Sequence, residues 1–239
     1  IYINPIKYIF AMKKLLVFIA VMMLLFTKCN WLDTIDGDKN IVKKEYNLSP
    51  FTAIDIATTS SIVYKPVDSD STYFGFEIDS NLVDYLDISV VDEQLIIKTK
   101  EDHIIEPSKF VIYTNADNLE KINISGIGDV TVHDKLSIKK LDIALGGIGD
   151  LKLCNLETDT LNLRITGTGN IKMMGKATHT NVAVTGVGNL ESIDFVSKTA
   201  NCTLTGVGNI RLHVTDTLTS ATSGIGNIKY QGTPHVINN

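Results

Sequence analysis

From Leu119 onward the chain alternates apolar and polar residues with a period of two, and the alternation breaks at regular intervals on a pair of glycines. Four residues before the first glycine of each pair stand Ile122, Ile143, Leu163, Val182 and Cys202; two before it stand Ile124, Leu145, Ile165, Val184 and Leu204. Residues two apart point to the same side of a strand, so these columns predict one buried face. Beyond the pair, Val130, Leu151, Ile171, Leu190, Ile210 and Ile228 form an apolar column. The next column is polar: Thr131, Lys152, Lys172, Glu191, Arg211 and Lys229. Each unit therefore reads as strand, tight glycine turn, strand, with the apolar side inward.

The turn itself repeats as Gly-x-Gly-Asp/Asn. Its positions are Gly126, Gly128 and Asp129; Gly147, Gly149 and Asp150; Gly167, Gly169 and Asn170; Gly186, Gly188 and Asn189; Gly206, Gly208 and Asn209; and Gly224, Gly226 and Asn227. Successive first glycines are 21, 20, 19, 20 and 18 residues apart. That step suits one coil of a β-helix but is too short to fold alone, so each coil must bury its apolar face against its neighbours. The predicted fold is all-β: a β-solenoid of stacked coils of about 20 residues.

Residues 41–116 lack the glycine motif but also read as strands, at Phe51 to Ala57, Ser61 to Pro66, Tyr73 to Ile78, Leu86 to Val91, Gln94 to Lys100 and Lys109 to Thr114. One helical turn fits Ser80 to Leu86. We expect this half to supply the first, less regular coils of the same sheet, giving a single domain over 41–239 with regular repeats from 117; a separate small β-domain is the lesser alternative.

The N-terminus follows another pattern. Met12-Lys13-Lys14 precedes an unbroken apolar run from Leu15 to Phe26, then Thr27-Lys28-Cys29. This order is that of a secretory signal peptide, expected over 1–28, with residues 1–11 upstream of a natural start at Met12. The run of 12 residues is short for a bilayer, which takes about 20. Phe26-Thr27-Lys28-Cys29 resembles a lipobox, with Lys28 where small residues are usual, and marks Cys29 as the expected lipid attachment site. Residues 29–40, acidic and turn-rich, are expected to tether the anchor to the domain.

Composition narrows the function. With 44% hydrophobic and 21% charged residues the chain is globular. Its net charge of −5 becomes −9 once Lys7, Lys13, Lys14 and Lys28 leave with the signal, which disfavours nucleic acid as a partner.

Candidate chemistry is concentrated at the turns. A corner between strands that needs φ > 0 is taken without strain by glycine, and Asp or Asn beside it bonds local amides; stacked in register, these side chains would form a ladder about 4.8 Å apart. Calcium-binding β-rolls repeat every nine residues with an Asp each time, whereas here only Asp129 and Asp150 are acidic. No copy completes Gly-x-Gly-x-x-Gly ahead of a helix, which removes the nucleotide reading. A polysaccharide-cleaving site would use Asp129 and Asp150 as its carboxylates, without a strong basic partner in the polar columns. His133 and His213 share a column but lie four coils apart, about 19 Å at strand spacing, too far for one metal ion. Cys202 stands in an apolar column and Cys154 beyond the turn, so no disulfide is expected.

The Ser/Thr-Gly-x-Gly-Asp/Asn copies, with Phe51-Thr-Ala-Ile-Asp-Ile, Leu95-Ile-Ile-Lys and the closing Gly-Ile-Gly-Asn-Ile-Lys-Tyr and Gly232-Thr-Pro, resemble the head GIN domain family of adhesin-like envelope proteins of Bacteroidetes-type bacteria over about Ile41 to Val236. That resemblance implies a β-helical fold, export, frequent lipoprotein signals and no established catalytic residues; no cofactor is expected. It points to a non-catalytic outer-membrane lipoprotein, facing periplasm or exterior, with membrane contact through its lipid and a glycan or envelope protein as partner. Asp33, Asp36 and Asp38 resemble acidic surface-export signals. A glycan-active enzyme using Asp129 and Asp150 and a self-assembling scaffold are the alternatives.

Overall fold

The alternating columns of the sequence become stacked rungs of a parallel sheet. The structure, a computed structural model, describes residues 33–66, 73–100, 103–116 and 118–238. The signal segment, Cys29 and the first residues of the expected tether lie outside them. From Thr34 the chain forms one compact unit, Thr34–Asn239.

The strands before the glycine repeats are β1 (Asp33–Asp36), β2 (Ile41–Tyr46), β3 (Ala53–Ala57), β4 (Ser61–Tyr64), β5 (Phe74–Asp79), β6 (Leu86–Val91), β7 (Gln94–Thr99), β8 (His103–Glu106) and β9 (Phe110–Thr114). One 3-10 turn, Ser80–Tyr85, precedes β6. The repeats hold β10 (Lys121–Ile124), β11 (Val130–Leu145), β12 (Leu151–Ile165), β13 (Ile171–Val184), β14 (Leu190–Leu204), β15 (Val207–Thr222), β16 (Ile225–Gln231) and β17 (His235–Asn238).

Consecutive coils pair in parallel, so that Ile122 faces Ile143, Leu163, Val182 and Cys202 in turn. All five are buried, as is the column from Ile124 to Leu204. Each long strand is a bent ribbon with three stretches: a first face leading into the glycine corner, a second leaving it, and a third closing the coil. The unequal steps of the repeat are absorbed at bulges between the second and third faces, after Val132, Leu153, Lys172 and Ser192, with a further shift after Ser197. The glycine corners therefore stay in register while coil length varies.

The expected reason for glycine, a corner with φ > 0, holds for part of the motif. Within the motif, positive φ is confined to the second glycine of four copies, Gly128, Gly149, Gly208 and Gly226. The first glycine is required by close approach of the coils: a Cβ on Gly147 would stand 1.9 Å from the carbonyl oxygen of Gly126, and one on Gly206 2.0 Å from that of Gly186. Corner conformation accounts for part of the motif and backbone crowding for the rest.

Residues before the repeats join the same sheet, but not as a simple run of coils. β3 and β4 stack on β10 and β11, and Thr59 bridges Ile127, so Thr58-Thr59-Ser60 makes a corner with no glycine. β7 and β9, later in sequence, stack outside β3 and β4. The remaining strands cap that end antiparallel: β6 on β7, β5 on β9 and β2 on β5. Within the expected tether, Asp33–Asp36 is a strand paired with β8, and Ile35 packs against the core.

Asp79 anchors this cap. Its buried carboxylate accepts hydrogen bonds from the Lys39 amide at 2.7 Å and from the Ser108 amide and hydroxyl at 2.8 and 2.6 Å. Burial pushes its pKa up, but the Ser108 hydroxyl and the amides of Lys39, Lys109 and Ser108 outweigh that and hold it below the ordinary value. Gly37 lies directly over it, where a Cβ would stand 2.4 Å from the carboxyl carbon.

Candidate binding surface

Two ladders of polar side chains run along the outside of the solenoid. The first follows the glycine corner. Asp129 Oδ1 accepts the Asp150 amide at 2.8 Å, and Asp150 Oδ1 accepts the Asn170 amide at 2.7 Å and its side-chain Nδ2 at 3.1 Å. Asn189 Nδ2 donates to Asn170 Oδ1 at 2.9 Å, and the Asn209 amide donates to Asn189 Oδ1 at 2.9 Å. The structure brings Asp129 and Asp150 together on adjacent coils, each with one oxygen committed to the coil above. Asn227, facing Asn209 across β15 and β16, ends the row.

Beside this ladder the middle residues of the Gly-x-Gly copies form a ridge. Ile127, Ile148, Thr168, Val187 and Val207 bridge one another in sequence, and the apolar members are about half exposed. Their side chains point outward, each between two glycines whose backbone lies close against a neighbouring coil.

The second ladder lies on the first face, five residues before each glycine pair. Asn162 Nδ2 donates to Asp142 Oδ1 at 2.6 Å, Asn181 Nδ2 to Asn162 Oδ1 at 2.8 Å, and Asn201 Nδ2 to Asn181 Oδ1 at 3.0 Å. Lys140 Nζ closes the acidic end on Asp142 Oδ2 at 2.8 Å. Desolvation raises the Asp142 pKa, but the Lys140 ammonium and the Asn162 amide prevail and lower it. Sequence reasoning missed this row, although Asn recurs at one offset in three consecutive repeats. The columns examined for chemistry lay at and after the turn, whereas this one sits between two apolar columns and reads as ordinary solvent-facing alternation.

The second ladder forms one wall of a groove of about 480 Å³. The opposite wall is the column three before the glycine pair, Ala144, Arg164, Ala183 and Thr203, and Lys121 stands at one end. Alanine on the coils either side of Arg164 leaves its side chain room to move, and it has no hydrogen-bond or ion-pair partner among the described residues. Smaller recesses of about 340 and 350 Å³ lie at the cap, beside Tyr73 and Tyr113, and on the third face, around Glu157 and Lys176.

The other sequence candidates remain apart. His213 Nδ1 lies 3.3 Å from the Ile193 carbonyl oxygen, and among the described residues no three His, Cys, Asp or Glu side chains are grouped to hold a metal ion. Cys154 and Cys202 are free thiols. Burial pushes the Cys202 thiol up to about 12.

Comparison with known proteins follows the same fold. Residues 50–234 match the family described as "Putative auto-transporter adhesin, head GIN domain". A crystal structure described as a putative adhesin from Bacteroides fragilis superposes with a TM-score of 0.77 at 24% identity, covering 86% of this chain and 100% of that one. A putative adhesin from Parabacteroides distasonis gives 0.69 at 23% identity, covering 87% and 96%. A structure from the same organism described as a putative lipid binding protein gives 0.68 at 23% identity, covering 86% and 95%. At these identities the likeness carries the fold. No protein with a curated description matches the chain significantly.

Proposed function

The chain belongs to the head GIN domain family, and on that premise we propose that it is an exported, non-catalytic binding protein of adhesin type. In this reading lipid on Cys29 holds it to the outer membrane and its solenoid faces engage a glycan or another envelope protein. The observation that carries the reading is the repetition of polar side chains, coil by coil, on a continuous hydrogen-bonded sheet. A rigid surface bearing the same donors at each step suits an extended ligand better than a reacting centre.

The carboxylates that a glycan-active enzyme would use argue the same way. Asp129 and Asp150 accept backbone amides of the next coil, bonds that orient them along the solenoid. No strong base or acid partner stands beside them in the ladder, whose next members are Asn170 and Asn189.

Protease treatment of intact cells tests the reading, alongside attachment of those cells to immobilised glycan and envelope-protein panels. Wild-type chain is expected to be cleaved on intact cells and to support attachment, and Cys29→Ala to be shed into the medium with loss of attachment. Retention of Cys29→Ala at the membrane, or attachment unaffected by deleting the chain, refutes it.

A further inference from the structure

The groove on the first face combines three features that no single polar row would supply. Each Asn of the second ladder uses one amide hydrogen on its neighbour, as Asn181 does on Asn162 and Asn201 on Asn181, and so keeps a second N–H for a ligand. These spare donors recur on three consecutive coils, at Asn162, Asn181 and Asn201, about 4.8 Å apart. Across the groove Arg164, without a partner among the described residues, stands between Ala144 and Ala183 in the register, and its planar fork can receive a carboxylate through two parallel hydrogen bonds.

The charges facing the groove are Lys121 and Arg164, against Asp142, whose carboxylate is already engaged by Lys140 and Asn162. A protein of net charge −5 thus presents a locally cationic strip. The strip lacks an aromatic ring, so a sugar would be held by hydrogen bonds and charge rather than by stacking on a flat face.

From this we infer that the groove binds an extended acidic glycan, with hydroxyls on the Asn162, Asn181 and Asn201 amides and a uronate carboxylate on Arg164. The inference rests on the binding-protein reading and deepens it by naming site and ligand class. A linear chain fits because the donors form a line along the solenoid and not a ring about one point.

The test is titration calorimetry on the full chain in detergent with polygalacturonate, with its methyl ester, which keeps the hydroxyls but removes the charge, and with anionic lipid vesicles. Polygalacturonate is expected to bind and the methyl ester to bind about ten-fold more weakly, the size of effect a charge-assisted bidentate contact gives. Arg164→Ala should weaken polygalacturonate by a similar factor and leave the ester unchanged, whereas Asn181→Ala should weaken both. Lack of polygalacturonate binding, equal binding of acid and ester, or an unchanged Arg164→Ala overturns the proposal; so does vesicle binding that Arg164→Ala abolishes while polygalacturonate is ignored. If the titration fails while wild-type cells still attach to the panels, the groove assignment falls and the adhesin reading stands.

Discussion

Gly146 and Gly147 are neighbours with opposite structural roles, and exchanging each for alanine separates backbone crowding from glycine content. A Cβ on Gly147 would lie 1.9 Å from the Gly126 carbonyl oxygen and 2.7 Å from the Ser125 carbonyl group. These atoms cannot yield alone, because Gly126 O accepts the Ile148 amide at 3.0 Å, Gly147 donates to Ile124 O at 2.9 Å, and Gly128 donates to Ile148 O at 2.9 Å. Relieving the clash means opening the corner by more than about 1 Å, beyond hydrogen-bond range for these contacts. Losing three such bonds at about 1 kcal/mol each gives about 3 kcal/mol, a large share of a typical stability of 5–15 kcal/mol. A Cβ on Gly146 meets nothing closer than 3.6 Å, at Thr166 Oγ1, and the same column holds Thr166, Thr185 and Thr205 in later coils. Gly146→Ala should therefore stabilise by about 0.4–1 kcal/mol through the unfolded chain. Urea denaturation followed by far-ultraviolet circular dichroism, compared at constant m, measures both. Unfolding free energies for Gly146→Ala and Gly147→Ala that agree within about 1 kcal/mol would sink the crowding argument.

Two further expectations concern the cap and the core. Asp79→Asn removes the charged acceptor of the Lys39 and Ser108 donors and should destabilise by about 2 kcal/mol at neutral pH. Because the folded pKa is lowered, the Asp79 contribution is full above the unfolded value near 3.9 and is lost as pH falls through the folded one, so wild type and variant should converge in acid; a gap that persists below about pH 2 refutes the linkage. In the Cys29→Ala chain a thiol reagent at pH 8 should titrate Cys154 alone before denaturant and Cys202 only after it, since the buried Cys202 thiol is pushed up to about 12; two fast thiols in the native chain contradict this.

The repeats were legible because period two and a fixed glycine step act together. Ile122, Ile143 and Leu163 could be placed in one buried column from spacing alone, and the structure stacks them. The cap was less readable. Asp33-Thr-Ile-Asp36 has one apolar residue and owes its strand to pairing with β8 and to Ile35, neither visible in local pattern. Ile41–Tyr46, an edge strand with exposed Lys43, Lys44 and Glu45, likewise carries no alternation. The order of β3 between β7 and β10 depends on long-range pairing that no window of sequence contains. In the groove, Asp142 and its three asparagines were present as a column, but the meaning of Arg164 emerged only once Ala144 and Ala183 were seen beside it.

The bulges after Val132, Leu153, Lys172 and Ser192 have an evolutionary consequence. Since each coil pairs with its neighbours and its length differences are absorbed at bulges, duplication or loss of a whole coil leaves both new junctions chemically ordinary. Coil number is then a heritable dial: a lineage can lengthen or shorten the asparagine row by one rung at a time without redesigning the cap that starts the stack.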